Sequence, residues 1–199
     1  MSVAFECYKL AKRAWDKLVT LLLRRGFHSF GRRSVVALPF RSGHEHLISI
    51  GNRVYVGPSS WIQVMGIGNK GIVPIISLDD DVSISGDCTI TAVIRVSIGK
   101  GALIARFVHI SDHSHAYSDP KRHIKLQGYS KIGAVSIGEG AWLGHGVVIC
   151  PGVKIGRNAV IGANSVVLND VPDYCVAVGA PAKVISHLAP SDSLANNSQ

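Results

Sequence analysis

Aromatic residues are scarce, 7% of a 199-residue chain, which argues against a core gathered around an aromatic cluster. Cysteine is scarcer still. The four present, Cys7, Cys88, Cys150 and Cys175, form neither a CxxC pair nor the spacing of a zinc site, so they read as free thiols in a reducing compartment. No apolar run approaches the roughly twenty residues that a transmembrane helix needs. No small-residue cleavage site follows the first apolar stretch, so a signal peptide is not expected either. Acidic residues are also few, 13 against 21 lysines and arginines, which leaves a formal charge of +8. That excess is local. Residues 1–33 carry Lys9, Lys12, Arg13, Lys17, Arg24, Arg25, Arg32 and Arg33 against Glu6 and Asp16, eight against two, a net +6. The basic balance describes one terminal segment, and no nucleic-acid interface is expected.

What is abundant is a period of six. Between Val135 and Val171, Ile137, Leu143, Ile149, Ile155, Ile161 and Val167 recur at every sixth place. Small or β-branched residues follow four places after each, at Ala141, Val147, Val153, Ala159, Ser165 and Val171. Glycine follows the large aliphatic at Gly138, Gly144, Gly156 and Gly162. This period fits neither a 3.6-residue helix nor an alternating strand; it fits an all-β solenoid, a parallel β-helix of hexapeptide repeats. Each large aliphatic is expected to point into a prism-shaped interior, the small residue to fill the space beside it, and glycine to permit the corner.

The same cadence runs through Ile50, Val56 and Ile62 and breaks from Met65 to Gly71. It resumes at Leu78, Ile84 and Ile90, skips two residues, and continues at Ile98, Ile104 and Ile110. The breaks are expected to be loops or bulged corners. The largest lies between Ile110 and Ile137, where about residues 111–134 are polar, charged and histidine-rich; an insertion of that length must leave the solenoid as a loop, where binding and catalysis concentrate. Ahead of the repeats, residues 3–23 read as an amphipathic helix. Of two roles for it, packing on the solenoid's end to cap strand edges is preferred. The other, for residues 1–25, is peripheral contact with an anionic membrane surface, Trp15 in the interface. Gly26 to Gly43 looks irregular, pinned by Phe27, Phe30 and Phe40. The chain thus divides into a helix and lead-in (1–47), a repeat domain (48–185) and a tail (186–199) expected to be disordered.

Several stretches carry a resemblance: Ile110-Ser-Asp-His-Ser-His-Ala-Tyr117, Gly140-Ala-Trp-Leu-Gly144, Cys150-Pro-Gly-Val-Lys-Ile-Gly156, Ile161-Gly-Ala-Asn-Ser-Val166 and Val178-Gly-Ala-Pro-Ala-Lys-Val184. Together they resemble the hexapeptide-repeat acyltransferases, in particular the branch that O-acetylates sugars and surface polysaccharides, beside the maltose and galactoside acetyltransferases. The resemblance implies a left-handed parallel β-helix, a homotrimer, and acetyl-CoA as donor in the groove between neighbouring solenoids. A sugar, free or linked to a nucleotide or lipid, is the implied acceptor, and the cytoplasm or the inner face of the membrane the implied location.

Taking a hydroxyl proton needs a base of near-neutral pKa, which suits histidine. The resemblance puts one histidine at this loop junction, and an ungapped match from Leu103 assigns it to His115; His113 is the runner-up as base, with orienting its neighbour or binding the acceptor as its other roles. Trp142 precedes an inward aliphatic and should point outward; the resemblance places it by the thioester, with an oxyanion-binding amide near Gly144 and His145. It also implies Gly162 and Ala163 along the pantetheine arm and Lys183 near the nucleotide phosphates. Leu168 and Asn169 depart from the family pattern where a hydroxyl and a lysine are common, leaving Lys154 or Arg157 to supply a phosphate contact. The charged run Asp119–Lys125 reads equally as acceptor contact or solvated loop. Two rivals remain: a γ-carbonic-anhydrase-like metal site drawn from His109, His113, His115 and His123, and a non-catalytic scaffold. The transferase reading expects no metal.

Overall fold

The computed structural model describes residues 3–66 and 74–188. Most of the Met65–Gly71 break, and the tail from residue 189 onward, lie outside the described residues.

The six-residue period becomes three ladders of stacked side chains. Ile50, Leu78, Ile98, Ile137 and Ile155 stand in register on successive parallel strands of a first sheet. Val36, Val56, Ile84, Ile104, Leu143, Ile161 and Ala177 do so in a second. Ile62, Ile90, Ile110, Ile149 and Val167 complete a third. All are at most 3% exposed, so one continuous aliphatic core runs the length of the stack. The chain visits the first, second and third sheets in turn and then returns to the first, the winding of a parallel β-helix. A final strand, Ala182–His187, folds back antiparallel on Cys175–Gly179 and closes the second sheet. Ser186 and His187, assigned to the tail on sequence, belong to this strand.

The winding begins earlier than the aliphatic cadence. Ser29–Phe30, Val35–Val36 and Phe40–Gly43 already pair with the following coil, in residues read as an irregular lead-in. The period of six is present there, through Phe30, Val36 and Ser42, but an aromatic and a hydroxyl disguise it. Glycine also acts differently from expectation. Gly144 does not take the left-handed conformation; a Cβ there would sit 2.8 Å from Ala163 N and Ile161 O, so glycine admits the next coil's backbone. The left-handed corner residue is Gly146, φ +69°.

The expected helix, α1, spans Val3–Leu23 and packs on the first coil, through polar groups. Thr20 Oγ1 accepts the Val36 N–H (3.1 Å) and Asp16 accepts the Leu38 N–H (3.3 Å), so the helix satisfies donors at the edge strand of the second sheet. Among the described residues no helix is long and apolar enough to cross a membrane. The four cysteines are free, Cys88 and Cys175 buried in the stack.

Candidate active site

The two residues that the cadence skips after Ile90 build the site. They turn the chain at the corner after Thr89–Ala92 so that three successive N–H groups, of Val93, Ile94 and Arg95, converge on one carboxylate. That carboxylate is Asp112, at 2.8, 2.7 and 2.8 Å, and it is fully buried. Asp112 in turn holds His113, whose Nδ1 lies 2.8 Å from Oδ1. Burial alone would raise the Asp112 carboxyl, but the His113 bond and the three backbone donors outweigh it and hold the group below the usual carboxylate range. With Nδ1–H donated to an anion, the imidazole's open lone pair is on Nε2, the tautomer a general base requires. Ser111 Oγ stands 3.3 Å from the same Nδ1 and donates to the His113 carbonyl at 2.8 Å. The Tyr129 ring meets the imidazole edge-on, centroids 4.5 Å apart.

His115 is held otherwise. It is exposed and sits in a two-residue strand, Ser114–His115, paired antiparallel with Tyr129–Ser130. The insertion is therefore a stem of two short strands with a 3-10 turn, Ile124–Leu126, near its tip. Within the Asp119–Lys125 run, Asp119 and Arg122 are occupied by the loop's own backbone, while Lys121, His123 and Lys125 are exposed. Burial first, then the neighbouring His113, holds His109 below the ordinary histidine value. Among the described residues no group of three or more His, Cys, Asp or Glu side chains is placed to hold a metal ion, so the four histidines of the metal reading do not form a ligand set.

The groups assigned to the donor lie along the second sheet. Trp142 is 48% exposed on strand Trp142–Leu143, with Leu143 turned inward. Val160–Ile161, Cys175–Gly179 and Ala182–His187 follow it in order across that sheet, the last presenting an exposed Lys183. The Gly144 amide is already spent, donating to Ile161 O at 2.8 Å, so it is no oxyanion donor. The N–H groups of His145 and Ala163 donate to no acceptor among the described residues. His145 is exposed, its ring edge-on to Phe107 at 5.2 Å, and a Cβ on Gly162 would meet Val178 Cγ1 at 2.7 Å. Lys154 lies on the first sheet and Arg157 in the corner after it.

Sequence reasoning quoted Asp112 within a motif without giving it a role, and missed Tyr129 and the amide cluster altogether. The available signal was the two-residue skip between Ile90 and Ile98.

Residues 134–169 match the family described as "Bacterial transferase hexapeptide (six repeats)". The chain is 33% identical, over 89% of its length and 92% of the other's, to WbbJ of Escherichia coli K12, a candidate lipopolysaccharide biosynthesis O-acetyl transferase. Against several further curated relatives it spans about half of their length or less. Among solved structures, a maltose O-acetyltransferase from Clostridium difficile 630 superposes with a TM-score of 0.58 at 27% identity, covering 91% of this chain and 88% of that one. The fold is shared at 18% identity and a TM-score of 0.72 with AntD, an N-acyltransferase from Bacillus cereus solved with dTDP and 3-hydroxybutyryl-CoA, over 88% of this chain and 91% of that one.

Proposed function

The chain belongs to the hexapeptide-repeat acyltransferases, and from that premise we propose that it moves an acetyl group from acetyl-CoA to a hydroxyl of a sugar or surface-polysaccharide precursor. Family membership argues against the non-catalytic scaffold. The observation that carries the mechanism is the Asp112–His113 pair, a base held by a buried anion at the root of the long loop.

In this reading His113, rather than His115, is the base. Nε2 of His113 takes the acceptor's hydroxyl proton as the oxygen attacks the thioester carbonyl, and the imidazolium returns that proton to the departing thiolate. Asp112 stabilises the imidazolium without taking its proton. The free N–H of His145 receives the developing oxyanion. Trp142 walls the thioester, Gly162 and Ala163 lie beside the pantetheine arm, and Lys183 faces the nucleotide phosphates. His115, exposed on the loop stem, contacts the acceptor.

The winding, taken as left-handed as in the family, gives a reason for a homotrimer. His113 follows the third sheet, at the corner leading back to the first, whereas Trp142 and Lys183 sit on the second sheet, across the prism. A complete site then needs base and donor groove from two chains. Exposed Trp142, Leu103, Ile124 and Leu126 are apolar surface that such a neighbour would cover.

The function is tested by acetyl-CoA turnover across a panel of glycans, with mapping of the modified hydroxyl; no acetyl transfer to any glycan would overturn it. The shared site is tested by complementation. His113→Ala and Trp142→Ala proteins, each impaired alone, should on mixed refolding regain activity at roughly a quarter of the sites by random assortment in a closed ring. Absence of recovery in mixed assemblies would place the whole site on one chain.

A further inference from the structure

We propose that α1 is a docking surface for an anionic phospholipid membrane, held rigidly at the end of the solenoid. The helix contradicts the usual arrangement of an amphipathic surface helix. Its buried residues are Asp16 and Thr20, both hydrogen-bonded to the first coil. Leu18, midway between them in sequence, falls about 180° round the helix from their mean direction at 3.6 residues per turn. Around it lie Trp15, Leu21 and Leu22, 59%, 55% and 72% exposed, with Leu10 a further turn along. A helix whose only task was to cap the solenoid would turn this stripe inward. The polar attachment points it outward instead.

Charge selects the partner. Lys17, Arg24, Arg32 and Arg33 line a cleft of about 470 Å³ between the helix and the first coil, a cleft with no acidic residue in its wall. None of the four forms an ion pair among the described residues. Arg13, also exposed, falls on the same flank as Lys17 and Arg24 at 3.6 residues per turn, while Lys12, on the other flank, is neutralised by Asp16 at 2.8 Å. An apolar stripe bordered along one flank by unpaired cations fits acyl chains below and phosphate headgroups beside it. A second copy of the same face would fit poorly, because two segments each carrying a net +6 over residues 1–33 would be brought together. Among the described residues no helix is long and apolar enough to cross a membrane, and the contact proposed is a peripheral one.

Co-sedimentation of the full chain with vesicles of phosphatidylcholine, with and without phosphatidylglycerol, tests this. The protein should pellet with the anionic vesicles only, and less so at high salt. Replacing Leu18 and Leu22 together by glutamate, both surface positions, should weaken partitioning at least about tenfold. Replacing Arg24, Arg32 and Arg33 by alanine should weaken it by roughly fivefold per side chain and flatten the salt dependence. Both variants should keep the parent's assembly mass and its coenzyme A release with a soluble acceptor. Failure of the parent to bind anionic vesicles at low salt, or full binding by the leucine variant, would overturn the proposal. So would a fall in assembly mass for the leucine variant, which would make the stripe a protein–protein surface.

Discussion

Replacing His113 by alanine should lower the turnover number by at least about a hundredfold, in line with the loss of a positioned base. The same change at His115 should cost less than about tenfold and appear mainly in the acceptor's Michaelis constant. Both residues leave the same loop root, two places apart, and sequence matching alone prefers His115. Only His113, however, is oriented by a buried anion, and only its Nδ1 is committed to a hydrogen bond that leaves Nε2 basic. Stability separates this loss from unfolding. Asp112 keeps its three backbone donors when the imidazole goes, so His113→Ala should cost about 1.5–3 kcal/mol, the worth of one hydrogen bond to a charged group. Steady-state kinetics and urea unfolding on both variants decide the matter. A dead His115→Ala beside an active His113→Ala would restore the sequence-based assignment and reduce the Asp112–His113 pair to structure.

Asp112→Ala should be damaging in both measurements. It removes the acceptor of three N–H groups at a buried corner, each costing about 1–3 kcal/mol if left unmet, so a loss on the order of 3 kcal/mol or more is expected. It also frees the imidazole to rotate and change tautomer, so turnover should fall by at least about a hundredfold in whatever fraction stays folded. Asp112→Asn removes the carboxylate without opening a cavity, since the amide keeps the volume but offers the imidazole and the amide cluster one acceptor too few. The pH dependence has a definite sign. The folded carboxyl lies below its unfolded value, so its stabilisation is fully present above about pH 4 and is lost as the pH falls through the folded value. The stability gap between parent and Asp112→Asn, from urea unfolding at neutral and acid pH, should therefore narrow in acid. A gap that stayed constant, or Asp112→Ala turnover within a few-fold of the parent, would show that the carboxylate neither stabilises the corner nor positions the base.

The sequence by itself determined the ladders. A period of six is a local property of the chain, and six consecutive matches from Ile137 to Val167 leave one way to bury every large aliphatic at once. It also determined the helix, the loop and the position of Trp142, since each follows from neighbours a few residues away. The first coil escaped notice because Phe30 and Ser42 occupy ladder positions where an aliphatic was sought. What only the tertiary structure decided involves residues a full coil apart. Val93, Ile94 and Arg95 stand 17 to 19 residues from Asp112 and meet it because the next turn of the solenoid lays one above the other. The same cause spends the Gly144 amide on Ile161 and leaves that of His145 open. The helix makes the point from the other side: its pattern shows an apolar face, but which way that face turns was settled by where Thr20 and Asp16 found partners on the first coil.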